Sequence, residues 1–271
     1  MSSQIAFIGG GNMASAIIQG LVTQGHPVGR LAVVEPFEEA RDRLTRQFGI
    51  QVQAQAGASL ESADVVVWAV KPQVFQEAAA QTQAHTRAAL HLSVAAGIPS
   101  QSIARWLGTD RVVRAMPNTP ALIGKGITAF FARAGVQTPD RLQVETIVRS
   151  TGEFLWVDNE DQLDAVTALS GSGPAYVFYF MEAMMAAGFE MGLSPAQARQ
   201  LTLSTFVGAS ELARSSDDPP EVLRQRVTSK GGTTHAAITA MDDAGLKAAF
   251  GRALHAARDR ARSMGQEFGS A

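Results

Sequence analysis

The chain has 271 residues, 46% of them hydrophobic, and a formal charge of −2 with acidic and basic side chains mixed throughout. That is enough apolar material for one large core or two ordinary ones, and no basic tail or stripe marks a nucleic-acid partner. Cysteine is absent, which removes disulfides, thiolate nucleophiles and Cys-ligated zinc.

The start of the chain runs from Met1-Ser2-Ser3-Gln4 straight into an apolar strand pattern, with no basic n-region or leader-like h-region. The most apolar stretch, residues 175–189, contains Glu182 and is too short to span a bilayer. These features point to a cytoplasmic protein with no membrane partner.

Residues 5–9 read as a first strand, and Gly9-Gly10-Gly11-Asn12-Met13-Ala14 follows, opening a helix. This is the Gly-x-Gly-x-x-Ala spacing of a dinucleotide loop. Gly9 serves the tight turn, Gly11 lets backbone approach a pyrophosphate, and Ala14 lets helix and strand pack closely. A second strand over 31–35 ends in Glu35, which can accept from adenosine ribose hydroxyls and repel a 2′-phosphate, favouring NADH; a solvated strand-end acid is the plainer reading. Arg41 and Arg43 follow closely enough to reach a 2′-phosphate instead, so NADPH stays open.

Further strands are expected over 65–70, 89–95, 111–116, 127–131 and 154–157, with helices over 13–24, 38–48, 73–83, 101–107 and 141–150. Strands rich in Val, Ile and Ala between helices argue for a parallel sheet covered on both faces. Ligands in such sheets bind beyond the carboxyl ends of the strands. Ala69-Val70-Lys71-Pro72 lies at one such end, where Lys71 faces either cofactor or solvent. Ala96 follows another, where small residues would admit a nicotinamide ring. Asn118, between two prolines, is either a crevice residue or part of a proline-shaped turn.

Strand signals stop after Asp158-Asn159-Glu160-Asp161, which places a domain boundary near 162. Helices are expected over 163–191 with a break at 170–173, then 195–215, 219–227, 234–241 and 246–264, with residues 269–271 fraying. Ser194-Pro195 is a strong helix start, and Asp218-Pro219-Pro220-Glu221 has capping-box spacing. The Ser170–Gly173 break either lines a site or permits close packing in a dimer. Residues 176–181 are apolar nearly all round, which a small helical domain cannot bury alone, so an obligate oligomer follows. Met184 and Met185 read as core. His26, His85, His91 and His255 show no ligand spacing, so no metal is expected, and His235 reads as a surface or packing residue, with a catalytic acid the alternative.

The stretch Val227-Thr228-Ser229-Lys230-Gly231-Gly232-Thr233-Thr234 carries the second site signal. Glycines and hydroxyls precede an apolar helical pattern, so free N–H groups and a positive dipole end would suit a small carboxylate.

These blocks together resemble the pyrroline-5-carboxylate reductase family. The likeness rests on the Phe7–Ala14 loop, on Ala69-Val70-Lys71-Pro72, on Met116-Pro117-Asn118-Thr119-Pro120 and on residues 164–176. Its most specific part is Pro220, Leu223, Val227-Thr228-Ser229, Gly231-Gly232, Thr234, Ala237-Ile238 and Met241-Asp242. The resemblance implies a Rossmann-type domain over 1–162 and an all-α dimerisation and substrate domain over 163–271, like the C-terminal domain of 6-phosphogluconate dehydrogenase. It implies reduction of 1-pyrroline-5-carboxylate by NADPH or NADH, in a homodimer that can assemble further, up to a pentamer of dimers. It places the cofactor on Gly9, Gly10, Gly11, Asn12, Met13, Ala14, Glu35, Ala69, Val70, Lys71, Pro72 and Ala96. It places the substrate carboxylate on Ser229, Gly231, Gly232, Thr233 and Thr234 across the dimer interface, with Thr234 near the ring nitrogen as the catalytic residue. Lys230 departs from the proline many members carry, and Glu35 from a residue friendlier to a 2′-phosphate. A 3-hydroxyacid dehydrogenase would need a lysine on the helix after the Ser170–Gly173 stretch, where this chain has none; a non-catalytic nucleotide sensor would not need the Gly231–Thr234 loop.

Overall fold

The structure is a computed structural model and describes residues 3–269. Eight strands form one sheet among the described residues: β1 (Ile5–Ile8), β2 (Leu31–Val34), β3 (Val52–Gln53), β4 (Val65–Trp68), β5 (Leu90–Ser93), β6 (Val112–Met116), β7 (Gly126–Ala132) and β8 (Gly152–Trp156). Their order is β3-β2-β1-β4-β5-β6-β7-β8.

Helices α1 (Asn12–Thr23), α2 (Glu38–Phe48), α3 (Pro72–Thr82), α4 (Ser100–Leu107) and α5 (Thr138–Arg149) supply the crossovers. The alternation of β1 divides the interior. Ile5 and Phe7 face a core with Ile17, Ile18, Val144 and Ile147, while Ala6 and Ile8 face another with Phe75, Ile103 and Leu107. The sheet is therefore covered on both sides, as expected of strands apolar along their whole length.

The sheet is not wholly parallel, which corrects the sequence reading. β7 runs antiparallel to β6, and β8 is parallel to β7. The connection over 117–125 contains only a 3₁₀ turn (Thr119–Ile123), too little for a crossover, so the chain reverses; α5 then restores one. The two-residue β3 has no expected counterpart either.

The helical part holds α6 (Gln162–Val166), α7 (Gly173–Glu190), α8 (Pro195–Arg214), α9 (Pro220–Arg226), α10 (Thr233–Asp243) and α11 (Leu246–Gly269). Between α6 and α7 the expected break is a wide turn of π-helix over Thr167–Gly171. The Thr167 hydroxyl donates to the Leu163 carbonyl at 2.7 Å and the Ser170 hydroxyl to Val166 at 3.1 Å. These bonds keep the helical path going where glycine and proline predicted an interruption.

Ser194 caps α8 in a capping box with Gln197. Asp218 does not cap α9, whose cap position is Pro219; its carboxylate instead meets Arg226 at 2.5 Å. Gly269 is the last residue of α11, and the rest of the expected fraying, Ser270 and Ala271, lies outside the described residues.

By compactness the chain forms two units, one of residues up to Pro174 together with the chain from Ala256 on, the other Ala175–His255. The first unit runs past residue 162 to Pro174 and also takes in the end of α11, which packs into it. A Cβ on Gly97 would lie 3.0 Å from Met264 Cβ, the Ser102 hydroxyl donates to the Gly269 carbonyl at 2.7 Å, and Phe268 packs on the core beside α4. Within the second unit, Tyr176 and Phe180 of α7 each meet the Phe250 ring edge-on at 5.7 Å. Most of α7 remains uncovered in the single chain: Phe178 and Tyr179 are 60% and 71% exposed, and Met184, expected in the core, is exposed too. No helix among the described residues is long and apolar enough to cross a membrane.

Candidate active site

The first unit carries a glycine loop between β1 and α1. Gly9 adopts φ 92°, and a Cβ there would sit 2.6 Å from the Ala69 carbonyl oxygen, so only glycine fits beside the end of β4. Its N–H donates to the Val34 carbonyl at 2.8 Å. Gly11 is the cap position of α1, with nothing within 4 Å of a built Cβ, no side chain capping the helix and no acidic residue in its first turn. An open space in front of uncapped N–H groups at the positive end of a twelve-residue helix fits a pyrophosphate.

Ala69, Val70 and Pro72 are half-buried around this mouth, and Lys71 is exposed as the cap residue of α3. Ala96 is half-buried after β5. These residues share the carboxyl ends of parallel strands, the place where a doubly wound sheet binds ligands. Glu35 is not the solvated strand-end acid that the sequence also allowed. It is 6% exposed; one carboxylate oxygen accepts the Gly10 N–H at 2.7 Å and the other the Phe37 N–H at 3.0 Å.

At the β6 end, Asn118 works in two directions. Its Oδ1 accepts the Ile127 N–H at 3.0 Å, and its Nδ2 donates to the Ser170 carbonyl at 3.2 Å. One side chain thus ties the Met116–Thr119 turn and β7 to the π-helical turn.

Sequence reasoning missed a part-buried ion pair behind this rim. Arg114 of β6 donates to Glu160 at 2.9 Å, and Glu160 also accepts the Ser100 N–H at 2.6 Å and hydroxyl at 2.5 Å. The signal was an arginine inside Val112-Val113-Arg114-Ala115-Met116; its partner lies 46 residues on. Nearby, burial raises the pKa of Asp164, against the pull of Arg114 and Arg262 and with the help of Asp161 and Glu160.

The second unit carries the hydroxyl-rich loop. The chain leaves α9 with the Thr228 hydroxyl on the Arg224 carbonyl at 2.6 Å, then turns with the Gly232 N–H on the Ser229 carbonyl at 3.0 Å. Gly231 has φ 75° and open space around it. A Cβ on Gly232 would meet Ser229 Oγ at 2.6 Å, so a side chain there would turn the Ser229 hydroxyl aside. Gly232 is the cap position of α10, with no side-chain cap and no acid in the first turn. The N–H groups opening α10 lie beside Thr233 and half-buried Thr234, while Ser229, Lys230 and His235 are exposed. This is a second helix start with glycine at the cap position, with hydroxyls in place of carboxylates. Among the described residues no group of three His, Cys, Asp or Glu side chains could hold a metal.

A pyrroline-5-carboxylate reductase dimerisation family model matches residues 160–264, and one described as NADP oxidoreductase coenzyme F420-dependent matches residues 4–97. The pyrroline-5-carboxylate reductase of Pseudomonas aeruginosa is 44% identical, with 98% of each chain covered. The chain belongs to the pyrroline-5-carboxylate reductase family. Among solved structures of the family, that of Coxiella burnetii superposes with a TM-score of 0.90 at 37% identity over 100% of both chains. That of Plasmodium falciparum, with NADP bound, gives 0.87 at 27% identity over 97% of this chain and 98% of the other. Prephenate dehydrogenase from Aquifex aeolicus, at 13% identity and a TM-score of 0.55, shares the fold alone.

Proposed function

We infer that the protein reduces the ring C=N of 1-pyrroline-5-carboxylate to L-proline, the final step of proline biosynthesis, with NADPH or NADH as reductant. The observation that carries this reading is the presence in one chain of two helix starts capped by glycine with no acid in the first turn, α1 behind Gly11 and α10 behind Gly232, each suited to an anion. Family membership over the full chain supports it.

The residues of the α1 loop bind the pyrophosphate of the dinucleotide, with Ala69–Pro72 and Ala96 shaping the rest of the crevice. Bound there, the nicotinamide cofactor supplies the hydride. The N–H groups behind Gly231 and Gly232, with the Ser229, Thr233 and Thr234 hydroxyls, clamp the substrate carboxylate. The imine nitrogen is basic, and in its protonated form the adjacent carbon accepts hydride readily, so the protein has more need of position than of a strong acid. Thr234 orients that nitrogen through its hydroxyl. The hydride goes to the imine carbon, the C=N π pair becomes the amine lone pair, and the nitrogen keeps its proton.

Residues 1–162 serve as the dinucleotide domain and 163–271 as the dimerisation and substrate domain, each substrate loop completing the partner's site. The apolar exposed face of α7 supports self-association. A pentamer of dimers is the higher assembly that the family resemblance implies, and mass in solution tests it. The protein acts in the cytoplasm without nucleic-acid or membrane partners. Oxidation of NADPH and of NADH in the presence of 1-pyrroline-5-carboxylate, with proline as the product identified, tests the assignment. Folded, dimeric protein that turns over neither would overturn it.

A further inference from the structure

We propose that Glu35 and Arg43 form a two-sided clamp on Gly10 that sets the dinucleotide loop, and that Glu35 does not choose between the two nicotinamide cofactors. The inference rests on the cofactor reading above and goes beyond it. An acid at the end of β2 ordinarily invites the assignment of ribose acceptor and 2′-phosphate repeller. Here both carboxylate oxygens are already committed inside the protein, to the Gly10 N–H at 2.7 Å and the Phe37 N–H at 3.0 Å. The residue is 6% exposed.

From the other side, the Arg43 guanidinium donates to the Gly10 carbonyl at 2.9 Å. Gly10 is thus gripped at its N–H by an anion and at its C=O by a cation, the charge-assisted kind of hydrogen bond that holds geometry best. The space a side chain would need is taken by the grip itself. A Cβ on Gly10 would lie 2.5 Å from Leu44 Cδ1 and 3.3 Å from both Cγ and Oε2 of Glu35. Arg41 is drawn to the same corner, donating to the Pro36 carbonyl at 2.7 Å and the Glu35 carbonyl at 3.2 Å, so cations flank the acid.

Each oxygen keeps a second acceptor site, but at 6% exposure a ribose hydroxyl has little room to reach it. As a clamp it acts before any ligand arrives. It pre-orders the loop and so favours both dinucleotides equally, since they share the pyrophosphate and differ only beyond it.

The test is binding, without substrate, of NADP⁺ and NAD⁺ by calorimetry to the wild-type protein and to Glu35→Gln and Arg43→Gln. Glu35→Gln keeps the size but loses the charge and one acceptor; Arg43 is exposed, so its replacement leaves the fold intact should the first variant not fold. The clamp predicts that each variant weakens both dinucleotides by a similar factor, about tenfold, with the ratio of the two dissociation constants unchanged within about twofold. Tighter NADP⁺ binding by Glu35→Gln would overturn it, as would a loss confined to NADP⁺ in Arg43→Gln, or no loss in either variant. Wild-type protein that binds neither dinucleotide would instead sink the cofactor reading beneath it.

Discussion

The indole N–H of Trp68 donates to Nδ1 of His91 across 3.0 Å between two adjacent buried strands. Burial, with the Arg111 charge adding to it and the Thr86 backbone opposing, lowers the His91 pKa to about 4. A proton on Nδ1 would face the indole donor and cost the bond. The unfolded chain, with an ordinary value of 6.5, therefore takes up the proton first as pH falls. Stability is complete above about pH 6.5 and is lost on the way down to about pH 4, by at most about 1.4 kcal/mol per pH unit for this group. His26, lowered chiefly by burial, acts in the same sense. Urea unfolding at pH 7.5, 5.5 and 4.5 should give a shallower fall for His91→Gln, whose carbonyl can still accept from Trp68.

Thr234 stands on the first turn of α10 without a capping duty. Thr234→Ala should lower kcat by on the order of 10²-fold while leaving the dissociation constant of the dinucleotide unchanged. A parallel loss of dinucleotide binding and melting temperature would mean that the hydroxyl holds the fold instead.

Gly231→Ala forces an L side chain to φ 75°, at a cost of roughly 1–2 kcal/mol. Open space surrounds the site, so the strain falls on the loop conformation and not on packing. Steady-state kinetics should show a raised KM for the imine and an unchanged KM for the dinucleotide.

Asn118 holds β7 and the π-helical turn together through opposite ends of one amide. Asn118→Asp keeps an acceptor for the Ile127 N–H but turns an oxygen toward the Ser170 carbonyl. A loss of roughly 1–3 kcal/mol is expected in thermal unfolding. Asn118→Gln should not restore it, because the longer side chain displaces both contacts.

Phe178→Glu places a carboxylate on the 60% exposed apolar face of α7. In a monomer the change is harmless; in a packed helical dimer the charge is desolvated without a partner. Sedimentation should show monomers, with turnover lost and dinucleotide binding by the first unit retained.

The parts of this protein that depend on local pattern were legible. The glycine loop, the Ser194 cap and the glycine–hydroxyl start of α10 announce themselves through residue types that few other conformations need. The direction of β7 was not, because apolar residues look alike in either direction and only the shortness of the 117–125 connection decides. The π-helical turn was read as a break because Ser-Gly-Ser-Gly-Pro disfavours a helix locally, while the Ser170 hydroxyl bonds back along the helix and the Thr167 hydroxyl and the Asn118 amide add bonds from outside that pattern. The surroundings of Glu35 were hidden for the same reason: position on a strand is visible in a sequence, but which backbone donors its side chain finds is not.

Helix α11 starts in one compact unit and finishes in the other, where Met264, Phe268 and Gly269 close over the loop after β5 and the start of α4. During synthesis the ribosome therefore releases a nucleotide-binding half that is unfinished. Its final contacts are made by residues 256–269, after the whole helical unit has emerged, and a fragment that stops at Pro174 leaves that seam open.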